Sequence, residues 1–123
     1  MGAPTESESA DRSGDEVAHT VLADVAALVN DKRGTHGDAV ENQEHIADAW
    51  EWYLRGNGVL SEGETITGAD VSRMMALLKM SRSAVGEHDI DHDRDIAGYA
   101  GIASACEFLN GDVTEDELTV ADE

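Results

Sequence analysis

The chain has 123 residues and 27 acidic side chains against eight basic ones, which gives a formal net charge of −19. This length predicts one domain built around a single core. The charge excludes a general binder of nucleic acid or of anionic membranes, because a field of this sign repels both.

An excess of acids combined with only two lysines, Lys32 and Lys79, is typical of proteins from a salt-rich cytoplasm. Salt removes the self-repulsion of such a surface, since the Debye length falls to about 3 Å at 1 M. An acidic surface that binds a partner is the alternative explanation. No apolar run approaches the ~20 residues of a membrane span, and the N-terminus lacks the pattern of a secretory signal. We therefore expect a cytoplasmic protein at high salt.

Four helices are predicted in chain order. Residues 1–13 are rich in Ser and Glu, which predicts a disordered acidic arm. Apolar residues at helical spacing then predict helices at about residues 15–32, 39–55, 68–83 and 91–109. Thr67 and Asp70 resemble a capping box at the start of the third helix. The tail, residues 110–123, begins with Asn-Gly and is expected to fray. The predicted fold is all-α, a small bundle of about four helices over residues 14–109, with disordered acidic termini.

The segment HDIDHDRDIAGYA, residues 88–100, places four aspartates at alternate positions. An EF-hand loop needs Gly at its sixth position and Glu at its twelfth. Neither stands there when the loop is started at Asp89 or at Asp91. A calcium loop is therefore excluded.

Helical geometry instead places Asp91 and Asp95 on the same stripe as Tyr99 and Cys106. Cys106 fits a small core residue better than a nucleophile. Carboxylates that face the interior need cations, a metal ion or hydrogen-bond donors. Two acids on this stripe therefore predict a polar site inside the bundle.

The other helices supply complementary groups. Lys79 and Arg82 continue the inward stripe of the third helix, which begins with Val71, Met75 and Leu78. On the second helix the inward face is predicted to hold Asn42, Ile46 and Tyr53, which turns Glu41 and Glu44 outward. Five polar side chains could therefore converge, namely Asn42, Lys79, Arg82, Asp91 and Asp95. They could form a closed structural network of ion pairs or a ligand site, and their spacing alone does not decide between the two.

Three motifs follow one another along the chain. The first is Arg-x-x-His-Gly-Asp-x-x-Glu-Asn at residues 33–42, followed by Ile46, Ala47 and Trp50. The second is Leu-Lys-x-x-Arg at residues 78–82, and the third is Asp-x-x-x-Asp-Ile-Ala-Gly-Tyr at residues 91–99. Together they resemble a family of small proteins of tailed viruses and prophages that has no assigned function. The resemblance covers about residues 15–109 and differs at His36, where the family usually has Tyr.

That family is in turn similar to the MazG-like nucleoside triphosphate pyrophosphohydrolases, in which four carboxylates on two facing helices hold Mg²⁺. Asp91 and Asp95 match the second acidic pair. Glu41 and Glu44 have the spacing of the first pair, but the predicted helical phase turns them outward.

The resemblance implies a viral accessory protein in host cytoplasm that binds a nucleotide or another phosphorylated small molecule, with Mg²⁺-dependent hydrolysis as a further expectation. Asp91 and Asp95 would hold metal, and Asn42 would orient the ligand. The remaining ligand contacts would come from Arg33, Lys79, Arg82 and Tyr99. Because aromatic residues are scarce, at 4%, the core is expected to be thin and the protein to be a homo-oligomer. The alternative function is a non-enzymatic interaction or structural module, in which the inward charges bind only one another.

Overall fold

The computed structural model describes residues 11–36 and 38–120, except for the side chains of residues 31–36. Within this part of the chain lie four α-helices: α1 (Gly14–His36), α2 (Ala39–Gly56), α3 (Gly68–Val85) and α4 (Ile90–Leu109). The all-α bundle of about four helices is confirmed. Of the predicted N-terminal arm, residues 1–10 lie outside the described residues. None of the helices described has both the length and the apolar character needed to cross a bilayer.

Side chains that accept hydrogen bonds fix the starts of three helices. Asp38 accepts from the Val40 amide at 2.9 Å before α2, and Asp89 accepts from the Asp91 amide at the same distance before α4. The capping box predicted for Thr67 and Asp70 is present at α3, with bonds of 3.0 and 3.2 Å. Each cap satisfies an amide that the first helical turn leaves without a partner.

The connection between α2 and α3 is tied back to the end of α2. Glu51 accepts a hydrogen bond from the Ile66 amide at 2.9 Å and another from Arg55 at 3.2 Å. These two donors, the Ile66 amide first, hold the pKa of Glu51 below its ordinary value. Gly58 and Gly63 take φ angles of +75° and +89°, where a side chain would be strained.

Helix α4 contacts each of the other three helices, and the core around it is built from small side chains. The buried apolar residues are Val25, Ala47, Ala69, Val71, Ala103 and Cys106. None of them is aromatic, as the composition predicts. Small side chains let the helices approach closely, but they remove little apolar surface from water.

The predicted inward face of α2 is wrong. Gln43 and Ala47 are its buried residues, whereas Asn42 is exposed and Tyr53 is 62% exposed. Glu44, predicted to face outward, is half-buried. One residue turns a helix by about 100°, so a stripe misplaced by a single position changes which polar groups face the core.

Helix α4 ends at a C-cap formed by Asn110, and Gly111 follows with a φ of +84°. Part of the tail is ordered rather than frayed, because residues Glu115–Leu118 form a short 3₁₀-helix. Its first turn is held by Glu117, which accepts hydrogen bonds from the amide and hydroxyl of Thr114. These bonds lower the pKa of Glu117.

Candidate functional site

Polar contacts between α3 and α4 fix the antiparallel register of the two helices. The pairs are Lys79 Nζ with Asp95 Oδ2 at 3.2 Å, Ser83 Oγ with His92 Nδ1 at 2.8 Å, and Arg73 Nη1 with Glu107 Oε1 at 2.6 Å. The Lys79 side chain is only 19% exposed. The predicted pairing of a base on the third helix with an acid on the fourth is therefore present for Lys79 and Asp95.

Arg94 links α4 to α1, a role that sequence reasoning missed. Its Nη1 donates to Asp91 Oδ1 at 2.8 Å, and its Nε lies 3.2 Å from Asp24 Oδ2. The Nε atom is buried and has no hydrogen-bond acceptor, because its approach to Asp24 is close but poorly aligned. Arg94 therefore has an ion pair on α1 and still has one buried donor that is not satisfied.

An open cavity of about 610 Å³ lies between α1, the start of α2 and α4. We call it the α1–α4 groove. Its apolar lining comes from Val25, Leu28, Val29, Ala39, Val40, Gly98, Gly101, Ile102, Ala105 and Leu109. Its polar lining comes from Asp38, Asn42, Arg94, Asp95 and Tyr99. Most of the surface is apolar, and the polar groups are few, which is typical of small-molecule sites.

Three of the predicted site residues meet in this groove, namely Asn42, Asp95 and Tyr99. Lys79 does not line it, but binds Asp95, which does. Arg33 belongs to the last turns of α1, and its side chain lies outside the described residues. Sequence reasoning therefore named part of the lining of this groove, although it placed Asn42 there on a wrong helical phase.

The expectation that Asp91 and Arg82 face the interior is wrong. Both are exposed, and the Asp91 side chain is 70% exposed. They lie near the turn that joins α3 to α4, where residues 84–91 are all exposed. The inward stripe of each helix therefore continues into solvent at this end. Asp91 binds Arg94 instead of facing Asp95 across a metal site.

Buried polar groups that were not predicted join α2 to α3. Gln43 Nε2 donates to Ser72 Oγ at 3.0 Å, and Ser72 Oγ donates to the Gly68 carbonyl at 2.9 Å. Glu44 Oε1 is buried beside Gly68 without a hydrogen-bond partner. Burial, with a smaller effect of the Glu44 charge, raises the pKa of the Cys106 thiol. Cys106 is thus a neutral core residue, as expected.

Comparison with known proteins identifies the family. Residues 20–107 match the family described as domain of unknown function, DUF6378. The chain belongs to this family. A relative is the Gene 55 protein of Mycobacterium phage L5, which is 38% identical over 84 residues. The alignment covers 68% of this chain and 49% of the phage protein, so the chain spans about half the length of that relative. No solved structure matches.

The expected membership in a viral family without assigned function is thereby confirmed, while the similarity to MazG-like enzymes stays a prediction. The segment that matches DUF6378 contains every polar residue of the α1–α4 groove. Within the described part of this DUF6378 chain, no three His, Cys, Asp or Glu side chains are grouped to hold a metal ion. A ligand in the groove would meet apolar side chains, the Asn42 amide, the Tyr99 phenol and the ion-paired guanidinium of Arg94.

Proposed function

We propose that this protein is a viral accessory protein whose α1–α4 groove binds a nucleotide or another phosphorylated small molecule. The observation that carries the proposal concerns Lys79 and Arg94, the half-buried bases of the described chain. Arg94 lines the apolar groove, and Lys79 pairs with Asp95, which also lines it. The phage relative supports the viral setting.

The apolar part of the groove suits a planar base. Its volume of about 610 Å³ falls within the roughly 300–1,000 Å³ of typical ligand sites. The ring of Tyr99 can stack on an aromatic ligand, and the amide of Asn42 can both donate and accept hydrogen bonds at the edge of a base. Gly98 and Gly101 keep side chains out of the α4 side of the groove.

A phosphate group would be held by the bases. Arg94 lines the groove, and a guanidinium can bind two phosphate oxygens at once. Its buried Nε has only the poorly aligned Asp24 carboxylate at 3.2 Å, and a phosphate oxygen that displaces Asp24 would give it an acceptor. Lys79 would also contact the phosphate if its ion pair with Asp95 opens, since the Lys79 ammonium is 3.2 Å from that carboxylate.

Magnesium belongs to the same proposal. Mg²⁺ is commonly held by one or two carboxylates together with substrate phosphates, so a complete cage of protein ligands is not required. Asp95, which lines the groove, would supply a carboxylate after releasing Lys79. A bound Mg²⁺ would neutralise charge on the phosphate chain, as MazG-like hydrolysis requires.

The test is a thermal-shift screen of nucleotides at high salt, with and without Mg²⁺. A ligand present at about 100 times its Kd stabilises the folded state by about 2.7 kcal/mol, which is readily measured. Asn42→Ala should abolish the shift, because the Asn42 side chain lines the groove. A folded wild-type protein that no nucleotide stabilises would refute the proposal.

A matched pair of variants separates binding from stability. Arg94→Gln and Arg73→Gln each remove a base that links α4 to another helix. Only Arg94 lines the groove, so only its replacement should lower nucleotide affinity. Equal affinities for the two variants would exclude Arg94 as the phosphate contact.

The second candidate is a non-enzymatic interaction or structural module, favoured by the fact that Lys79 and Arg94 already have carboxylate partners. In this function the pairs only hold α4 against α3 and α1. Replacing Lys79 by Met together with Asp95 by Leu should then preserve or raise stability, as it often does for buried pairs. Isothermal titration with the nucleotide panel would show no heat of binding for wild type or for this variant.

A further inference from the structure

Helix α3 carries apolar side chains on the face that packs into the bundle and on a neighbouring, exposed face. One face, with Val71 and Met75, packs into the bundle. The other face, which we call the outer stripe, consists of Met74, Leu77, Leu78, Ser81 and Val85, and all five are exposed. Their exposures include 62% for Leu77 and 88% for Val85. A helix that is apolar all round is normally covered on all sides.

The outer stripe lies in the least acidic part of the chain. Residues 71–86 contain no Asp or Glu, although the whole chain has 27. Helix α3 also holds three of the eight basic residues, Arg73, Lys79 and Arg82, against one acid, Asp70. Between two copies of a chain with a net charge of −19, electrostatic repulsion is therefore weakest along this face.

We propose that the outer stripe of α3 is the interface of a homodimer, in which α3 of one copy packs against α3 of the other about a two-fold axis. Met74, Leu78, Ser81 and Val85 follow one another at spacings of four, three and four residues. This spacing gives the continuous seam on which two helices interlock. Ser81 lies near the middle of the seam, where a small side chain lets the two backbones approach.

The charge of the stripe favours a second copy over an unrelated partner. A basic protein would be drawn to the acidic faces of this chain instead of the one face without acids. A second copy brings the same neutral seam. A two-fold interface of this kind is self-complementary and closes without forming filaments.

The first test measures the mass of the full chain in solution by light scattering after gel filtration, at about 0.15 M and about 1 M salt. We expect a dimer that becomes tighter at high salt. Leu77→Glu places a charge on the outer stripe beside the seam and should weaken the dimer by about 100-fold or more. Leu22→Glu is the matched control, since Leu22 is 58% exposed but lies on α1. A monomeric wild type, or equal effects of the two variants, would overturn the proposal.

The second test does not depend on disrupting the interface. Ser81→Cys should form a disulfide between copies on mild oxidation, because equivalent positions near a two-fold axis lie close together. Ser104→Cys, exposed on α4, is the control and should stay monomeric on a non-reducing gel. The native Cys106 is buried and does not compete in the folded protein. Failure of Ser81→Cys to cross-link faster than the control would count against the interface.

Discussion

Replacing Ser72 by Ala should destabilise the protein more than its small change in volume suggests. Ser72 is fully buried, accepts a hydrogen bond from the Gln43 amide and donates one to the Gly68 carbonyl. Without the hydroxyl, the Gln43 amide loses its acceptor in a place that is only 7% exposed. A buried polar group left without its partner costs about 1–3 kcal/mol.

Replacing the other partner, Gln43, should lower the free energy of unfolding by less than replacing Ser72 does. This difference makes the prediction specific. In Gln43→Met, the Ser72 hydroxyl still donates to the Gly68 carbonyl at 2.9 Å, so no donor is left unpaired. Methionine also fills a similar volume. The double variant, with Met at position 43 and Ala at 72, should recover most of the loss, because replacing both partners by apolar groups can be nearly neutral.

Urea unfolding followed by circular dichroism measures the four free energies of this cycle. Ser104→Ala is the control, since the Ser104 hydroxyl also bonds to a carbonyl four residues earlier, at 3.3 Å, but is exposed. Its effect should stay within about 0.5 kcal/mol. If Ser72→Ala costs no more than Ser104→Ala, or if Gln43→Met costs more than Ser72→Ala, the reasoning about the unpaired amide is wrong.

Four further predictions concern other parts of the molecule. Gly101→Ala, with no atom near the new methyl group, should raise the free energy of unfolding by about 0.5–1 kcal/mol, whereas Gly68→Ala, whose Cβ would lie 3.0 Å from Cys106 Sγ, should lower it by roughly 1–3 kcal/mol in thermal melts. Arg73 lowers the pKa of Glu107 in the folded protein. The stability that this pair provides is therefore fully present above pH 4.5, the ordinary pKa of the carboxyl group, and is lost as the pH falls through the lowered pKa. Arg73→Gln should flatten this acid dependence in urea titrations at different pH. Cys106, buried and with a raised pKa, should react with a thiol reagent only as fast as the core opens, so that adding urea accelerates labelling. If the acidic surface is an adaptation to salt, the melting temperature should rise between about 0.15 M and 1 M salt, and a flat response would contradict that interpretation.

Most of the fold could be predicted from local signals. Glycines and side-chain caps end or begin each helix, and the Thr67–Asp70 box is a purely local pattern that the structure reproduces. Helix positions follow from such signals because they depend on neighbours in the chain. Which face of a helix turns inward depends on the other helices, which no local pattern reports.

Helix α2 shows why the face was misplaced. Large aromatic side chains dominate any reading of its sequence, so Tyr53 was expected inside. The structure instead buries Ala47, because a small residue permits the close contact with neighbouring helices that a tyrosine would prevent. Gln43 follows it inward because Ser72 on α3 offers a partner. That partner is distant in sequence and could not be inferred without the packing.

The sequence carries a weak signal for the ion pairs of Arg94. Arg94 stands three residues after Asp91, a spacing at which helical side chains meet, and it is a rare base in an acidic run. Its second partner, Asp24 on α1, comes from packing alone. The groove likewise arises where three helices fail to close on one another, and no single segment of sequence describes such a gap.

The position of the half-buried bases bears on which proposed function is the better explanation. Taking a base partly out of water costs free energy even when it is paired with an acid, and apolar residues of similar volume often hold helices equally well. With 27 acids in the chain, a lysine can find a carboxylate at the surface without any such cost. Lys79 is nevertheless held at 19% exposure against an acid that lines the groove. A structural role explains the pair by the register of α3 and α4, and a ligand phosphate that exchanges with the Asp95 carboxylate would in addition make use of its place beside the groove.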